Sequence, residues 1–139
     1  MYLKRLQEAN SWLTELISNI EAKDKNALII ISADHGGFVG FDTTNESTVK
    51  QETEVLVKTI FTSTLAIKWN GVAPKFDTEF KTPVNFFRIL FAHLSDTNSY
   101  LEQLQDDKSY IIISKGAPFG VYEYLDENGN AVFNPLPNN

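Results

Sequence analysis

Apolar residues in the first part of the chain recur at three- and four-residue spacing. The recurring positions are Leu3, Leu6, Leu13, Leu16, Ile17 and Ile20. Charged and amide side chains such as Lys4 and Glu15 fall between them. Because residues three and four apart lie on the same side of an α-helix, this spacing predicts an amphipathic helix over residues 2–22.

A second apolar stretch is continuous rather than periodic, and it ends abruptly. Residues 27–33 are aliphatic except for one serine, and Asp34, His35 and two glycines follow them. A short apolar run bounded by turn residues is typical of a strand that is buried on both faces, as in a parallel sheet. The sequence therefore predicts a buried strand over residues 27–33.

The rest of the chain carries the patterns of shorter helices and strands. They predict a helix from Ser47 or Thr48 to about Thr59, an alternating strand over 61–69, a helix over 83–95 that begins with Pro83, a short helix within 98–107, and strands over 110–113, 121–125 and 131–133. Asn128-Gly129 lies between the last two strands and is typical of a hairpin turn.

Together these elements predict the fold class α/β. We expect one domain over residues 1–134 and a disordered tail over 135–139. In the predicted sheet, the strand over 27–33 is central, the strands over 61–69 and 109–114 flank it, and the two long helices cover it.

Composition and charge narrow the classes of function. The chain has 139 residues, of which 42% are hydrophobic, which suits a single core. Its 18 acidic residues outnumber its 12 lysines and arginines, and no basic cluster occurs. Binding to nucleic acid or to an anionic membrane is therefore not expected, because both need concentrated positive charge. The absence of cysteine excludes disulfides and thiolate zinc sites.

Asp34 and His35 are the candidate functional residues because of their position after the predicted strand. Ligand sites in open α/β sheets lie just beyond the carboxyl ends of the strands. A carboxylate beside an imidazole, followed by glycines that let the backbone turn sharply, suits a divalent metal. The alternative is a simple turn after the strand, with His35 on the surface.

Asp34, His35 and Gly36 resemble the Asp-His-Gly element of the alkaline phosphatase superfamily, and in particular of its sulfatase-like branch. The surrounding segments resemble the family in the same order: a helix and strand before the element, a later strand with a Gly-containing turn at 63–71, and a helix that opens on Thr-Pro at 82–90. The resemblance extends from the first helix to about residue 110.

The resemblance implies a partial sulfatase-like sheet covered by helices, with a C-terminal β-hairpin. It also implies that Asp34 and His35 bind a divalent metal in the intact parent protein, which is manganese, zinc, calcium or magnesium. The family's nucleophile, a hydroxyl or formylglycine, and a further aspartate ligand lie upstream of the Asp-His-Gly element. The chain thus resembles the C-terminal portion of a hydrolase or phosphotransferase that acts on sulfate or phosphate esters.

This interpretation carries expectations about the chain by itself. We expect it to be inactive, to hold no metal, to need the missing N-terminal part of the catalytic domain as its partner, and to self-associate through an open sheet edge. The parent protein would be membrane-anchored or extracytoplasmic, with any anchor or signal outside this chain. The alternative is a stand-alone, non-catalytic α/β module that binds a protein or a small ligand.

Overall fold

A computed structural model describes residues 2–78 and 80–137. Its helices are α1 (Tyr2–Lys23), α2 (Glu54–Phe61) and α3 (Pro83–Ser95), and its strands are β1 (Ile29–Ser32), β2 (Leu65–Lys68), β3 (Ser109–Ile113), β4 (Gly120–Leu125) and β5 (Ala131–Pro135). Short 3-10 helices lie at Thr44–Thr48, Lys75–Thr78 and Asn98–Gln103. The mixed α/β class predicted from the sequence is confirmed.

The chain divides into two compact units. The first unit consists of Met1–Ser32 and Leu65–Lys75, and the second of Ala33–Thr64 and Phe76–Asn139. The division into units does not decide whether residues 1–134 form one domain, so the single domain stays a prediction.

The first unit contains α1 and a sheet of two strands. β1 and β2 pair antiparallel, with Ile30 opposite Ile67. Lys68, at the end of β2, forms an ion pair with Glu21 of α1 at 3.6 Å. Its ammonium also donates to the Lys25 carbonyl at 3.2 Å. These contacts tie the end of β2 to the last turns of α1 and to the segment that follows.

The second unit has a three-stranded antiparallel sheet in the order β3-β4-β5. Ile113 and Tyr124 are almost completely buried in the core beneath it. The Tyr122 ring stacks on Phe133 of the neighbouring strand, with centroids 4.3 Å apart. The Tyr124 hydroxyl accepts a hydrogen bond from the Gln51 amide at 2.9 Å, which fixes the segment before α2 on the sheet. The predicted C-terminal hairpin is confirmed as β4 and β5.

Helix α3 follows the predicted bounds. Pro83 occupies its first turn, where a missing amide hydrogen costs nothing. Asp96 ends it in the left-handed conformation, with φ 51°. Asn85 is buried, and its amide group exchanges two hydrogen bonds with the Gln105 backbone, at 2.7 and 2.9 Å. This clamp holds the start of α3 against the segment that leads to β3.

The predicted parallel sheet with a central strand over 27–33 is wrong. In the described part of the chain β1 pairs only with β2, and the pairing is antiparallel. β3, which was expected beside it over 109–114, pairs with β4. Three consecutive isoleucines predict a strand because β-branched residues favour that conformation, but they carry no information about the direction of the neighbouring strand.

Further boundaries differ from the sequence predictions. The strand expected over 61–69 is confined to β2, because Phe61 still belongs to α2. The helix expected from Ser47 or Thr48 begins only at Glu54, because the Gln51 side chain donates to the carbonyls of Glu46 and Val49 and ends the preceding 3-10 turn. The tail expected over 135–139 is wrong at its first residue, because Pro135 is the last residue of β5. A proline is tolerated there since β5 is an edge strand. Residues 138 and 139 lie outside the described residues.

None of the helices within residues 2–78 and 80–137 has the length and apolar character needed to cross a membrane.

Candidate functional site

The loop that carries Asp34 and His35 is held by backbone hydrogen bonds to the end of α2. The Gly36 amide donates to the Ile60 carbonyl at 2.8 Å, and the Phe38 amide donates to the Thr59 carbonyl at 3.1 Å. Carbonyls in the last turn of a helix have no partner within the helix, so they are available to a neighbouring segment. The loop thus satisfies the end of α2, and α2 in turn fixes the loop.

Gly36 is required for this contact because of space rather than backbone angle. A Cβ atom at this position would lie 2.1 Å from the Thr59 carbonyl oxygen and 2.8 Å from the Ile60 carbonyl. Real Cβ atoms do not approach backbone atoms so closely, so any side chain would push the loop away from α2. The first glycine after the Asp-His pair therefore has a structural reason that its sequence position alone does not reveal.

The structure brings Asp34 and His35 together on the surface. Their side chains are 92% and 59% exposed, and the His35 Nε2 atom lies 3.7 Å from the Asp34 Oδ1 atom. The His35 ring also meets the edge of Phe38, with centroids 5.2 Å apart. Both candidate residues thus point towards solvent from one anchored loop.

A hydrogen bond selects the tautomer of His35. Its Nδ1 atom lies 2.7 Å from the Gly36 carbonyl oxygen. Because a carbonyl oxygen can only accept, Nδ1 carries a proton in this contact, and Nε2 is the ring nitrogen that faces the Asp34 carboxylate. A backbone carbonyl bound to one ring nitrogen is the usual support for a histidine that ligates metal through the other.

The donor set fits part of a metal site. Two ligands of a tetrahedral zinc ion, with bonds of about 2.1 Å, are separated by about 3.4 Å, close to the observed separation of Nε2 and Oδ1. Among the described residues, however, no group of three or more His, Cys, Asp or Glu side chains converges on one point. Asp34 and His35 therefore supply two donors and do not complete a site, which needs at least four ligands.

A cleft that the sequence analysis missed lies elsewhere in the second unit. It has a volume of about 440 Å³ and is formed by the end of α2, the start of α3 and the turn between β4 and β5. Asp34 and His35 do not line it. Its residues come from four separate stretches of the chain, so no local sequence signal indicates it.

Several charged and polar groups of this cleft are already bound to other groups of the protein. The Thr82 hydroxyl donates to Asp107 at 2.5 Å, and the Lys81 ammonium donates to the Glu127 carbonyl at 3.2 Å. Lys58 forms an ion pair with Glu54 at 2.5 Å. A ligand would have to displace these contacts, so the cleft is the weaker candidate for a functional site.

Ionisable groups whose pKa is shifted lie in or directly beside the C-terminal sheet. The hydrogen bond and charge of Glu123, 3.3 Å away, raise the pKa of Lys108. Burial raises the pKa of the Tyr124 hydroxyl. Hydrogen bonds from the Asn130 side chain and backbone lower the pKa of Asp126. Each of these pKa shifts is explained by burial or by a neighbouring residue of the sheet and its turn, so none indicates a catalytic group.

Comparison of the chain with protein-family models, with curated proteins and with solved structures found no match.

Proposed function

We propose that this chain is the C-terminal portion of a metal-dependent, sulfatase-like hydrolase or phosphotransferase that acts on sulfate or phosphate esters. In this proposal Asp34 and His35 are two of the ligands of its divalent metal. The observation that supports it most is the exposed Asp34–His35 pair, which is anchored to α2 through Gly36 and separated by 3.7 Å.

The local geometry agrees with a ligand role better than with a simple surface turn. A surface turn needs no close backbone packing, whereas Gly36 lies against α2 so tightly that no side chain fits. A surface histidine needs no fixed tautomer, whereas the Gly36 carbonyl holds the proton of His35 on Nδ1. Both features constrain the backbone of the loop and the His35 ring without help from a metal.

The remaining ligands and the nucleophile belong, in this proposal, to the missing N-terminal part of the catalytic domain. Two donors bind a divalent ion weakly, since a metal site gains its affinity from four to six ligands. We therefore expect weak metal binding at residues 34 and 35 and no hydrolysis of aryl sulfates or phosphates by the chain alone.

Paramagnetic broadening of amide NMR signals by Mn²⁺ tests the site even when binding is weak. We expect the signals of residues 34–37 to broaden first, and we expect this local effect to disappear in Asp34→Asn and His35→Gln. Asp42→Asn is the matched control, because Asp42 is an exposed carboxylate that follows closely in the chain and its loss removes the same charge. Broadening spread over the acidic surface, or an equal response in Asp34→Asn and Asp42→Asn, would contradict the proposal.

A non-catalytic α/β binding module is the second candidate, and one observation favours it: the described residues bring no third metal ligand to Asp34 and His35. The reading frame that contains this chain distinguishes the two candidates. An upstream α/β segment with a hydroxyl nucleophile and an aspartate supports the hydrolase, whereas a frame without them supports the module.

A further inference from the structure

The chain contains two Asn-Gly pairs, and the structure places them in very different surroundings. Asn70-Gly71 follows β2, and Asn128-Gly129 lies in the turn between β4 and β5. An asparagine before a glycine is prone to deamidation, because glycine has no Cβ to hinder the attack of its own nitrogen on the asparagine side chain. Sequence alone makes the two pairs equivalent.

The pair in the hairpin turn is held in a hydrogen-bonded arrangement. The Gly129 amide donates to the Asp126 carbonyl at 3.0 Å. The amides of Asn128 and Asn130 donate to the Asp126 carboxylate at 2.9 and 2.8 Å. The Gly129 nitrogen can attack the side chain of Asn128 only after it loses its proton, and this means breaking its own hydrogen bond and opening the turn.

The pair after β2 has no such support. Asn70 and Gly71 are exposed, and a Cβ at Gly71 would meet no atom within 4 Å. Val72, the next residue, is 97% exposed. Within the described residues, neither the Asn70 side chain nor the Gly71 amide makes a hydrogen bond. The attacking nitrogen, the side-chain amide and water are therefore all accessible to one another.

We propose that Asn70-Gly71 is a site of spontaneous covalent modification, whereas Asn128-Gly129 is protected by its turn. The deprotonated Gly71 nitrogen bonds to Cγ of Asn70, the Cγ–Nδ2 bond breaks, and ammonia leaves after taking up a proton. Water then opens the cyclic imide at either of its two carbonyl carbons. One opening produces aspartate at position 70, and the other produces isoaspartate, in which the main chain runs through the side-chain carbon.

The modification changes the end of β2 in two ways. It places a new negative charge two residues after Lys68, which pairs with Glu21 at 3.6 Å. The isoaspartate form also lengthens the main chain by one methylene group directly after Trp69. The loop after β2 therefore acquires a chemically altered form with age, independently of any catalytic role of Asp34 and His35.

Ageing of the folded chain at mildly alkaline pH tests the proposal. Trypsin cleaves after Lys68, Lys75 and Lys115, so the two sites fall on separate peptides, 69–75 and 116–139. We expect mass spectrometry to show conversion at Asn70 about tenfold faster than at Asn128, since a tenfold rate difference equals the contribution of one or two net hydrogen bonds. Equal rates, or a faster reaction at Asn128, would overturn the proposal.

Three comparisons separate structure from local sequence. In concentrated urea the two deamidation rates should converge. If a tenfold difference persists there, it arises from local sequence, and the structural explanation is refuted.

Gly71→Ala, which fits into open space, should slow conversion at Asn70 and leave Asn128 unchanged. Asp126→Ala removes the carboxylate that holds the turn and should accelerate conversion at Asn128 towards the rate at Asn70. An unchanged rate in either variant would contradict the proposal.

Discussion

The two units of the chain use similar strands in different ways. In the first unit, β1 and β2 form a sheet whose isoleucines are only partly buried. In the second unit, the strands β3, β4 and β5 enclose Ile113 and Tyr124, which are 0% and 1% exposed. A two-stranded sheet is only marginally stable without further packing, whereas three strands with an apolar face support a core. Strand propensity is therefore common to both units, but the stabilising burial is concentrated in the second.

The strongest test of this contrast substitutes one isoleucine in each unit. Ile113→Ala should lower the free energy of unfolding by about 2–5 kcal/mol, because it removes a fully buried side chain and leaves a cavity. Ile30→Ala should cost less, about 1–2 kcal/mol, since Ile30 is only partly buried. Urea denaturation measures both. Equal losses would show that β1 contributes to a core as the C-terminal sheet does.

Two glycines provide a smaller test of the same contrast. Gly36→Ala places a Cβ 2.1 Å from the Thr59 carbonyl and should cost about 1–3 kcal/mol. It should also speed hydrogen exchange at the Phe38 amide, which binds that carbonyl. Gly71→Ala should change stability by less than about 0.5 kcal/mol, because the added methyl group has open space. Unchanged exchange at Phe38 in Gly36→Ala would mean that α2 does not hold the loop.

The smallest expected effect concerns the stability of the protein in acid, and it is tested by comparing Asp126 with Asp24. The folded pKa of Asp126 lies below its ordinary value of 3.8, so its contribution to stability is present above pH 3.8 and is lost as the pH falls through the folded pKa. Asp126→Ala should therefore flatten the decline of the melting temperature in this acid range. Asp24→Ala is the control in the first unit, since it removes a single hydrogen bond, from the Asn26 amide. Parallel acid curves for wild type and Asp126→Ala would contradict the prediction.

Local sequence signals predicted the elements whose ends are fixed locally. The bounds of α3 were predicted correctly because Pro83 favours the first turn of a helix and the apolar spacing stops before Asp96. The C-terminal hairpin was predicted correctly because Asn128-Gly129 suits its turn, in which Gly129 has a positive φ of 76°. In both cases the decisive interactions lie within a few residues of one another.

Two features could not be predicted from local sequence: which strands pair with each other, and which contacts hold the loop of the candidate site. The pairing of Ile30 with Ile67 joins residues that are far apart in the chain. The sequence identified Asp34 and His35, but the close packing of Gly36 depends on where the carbonyls of Thr59 and Ile60 lie. Such contacts follow from tertiary structure, which periodicity does not encode.

The last turn of α2 links two parts of the second unit mechanically. Its carbonyls hold the loop of Asp34 and His35, while Lys58, Phe61 and Thr62 at the same helix end form one wall of the 440 Å³ cleft. The Gly36 and Phe38 hydrogen bonds thus attach the loop to the same helix end that borders the cleft. One helix end therefore serves both the loop and the cleft, and a substitution that displaces it is expected to alter both.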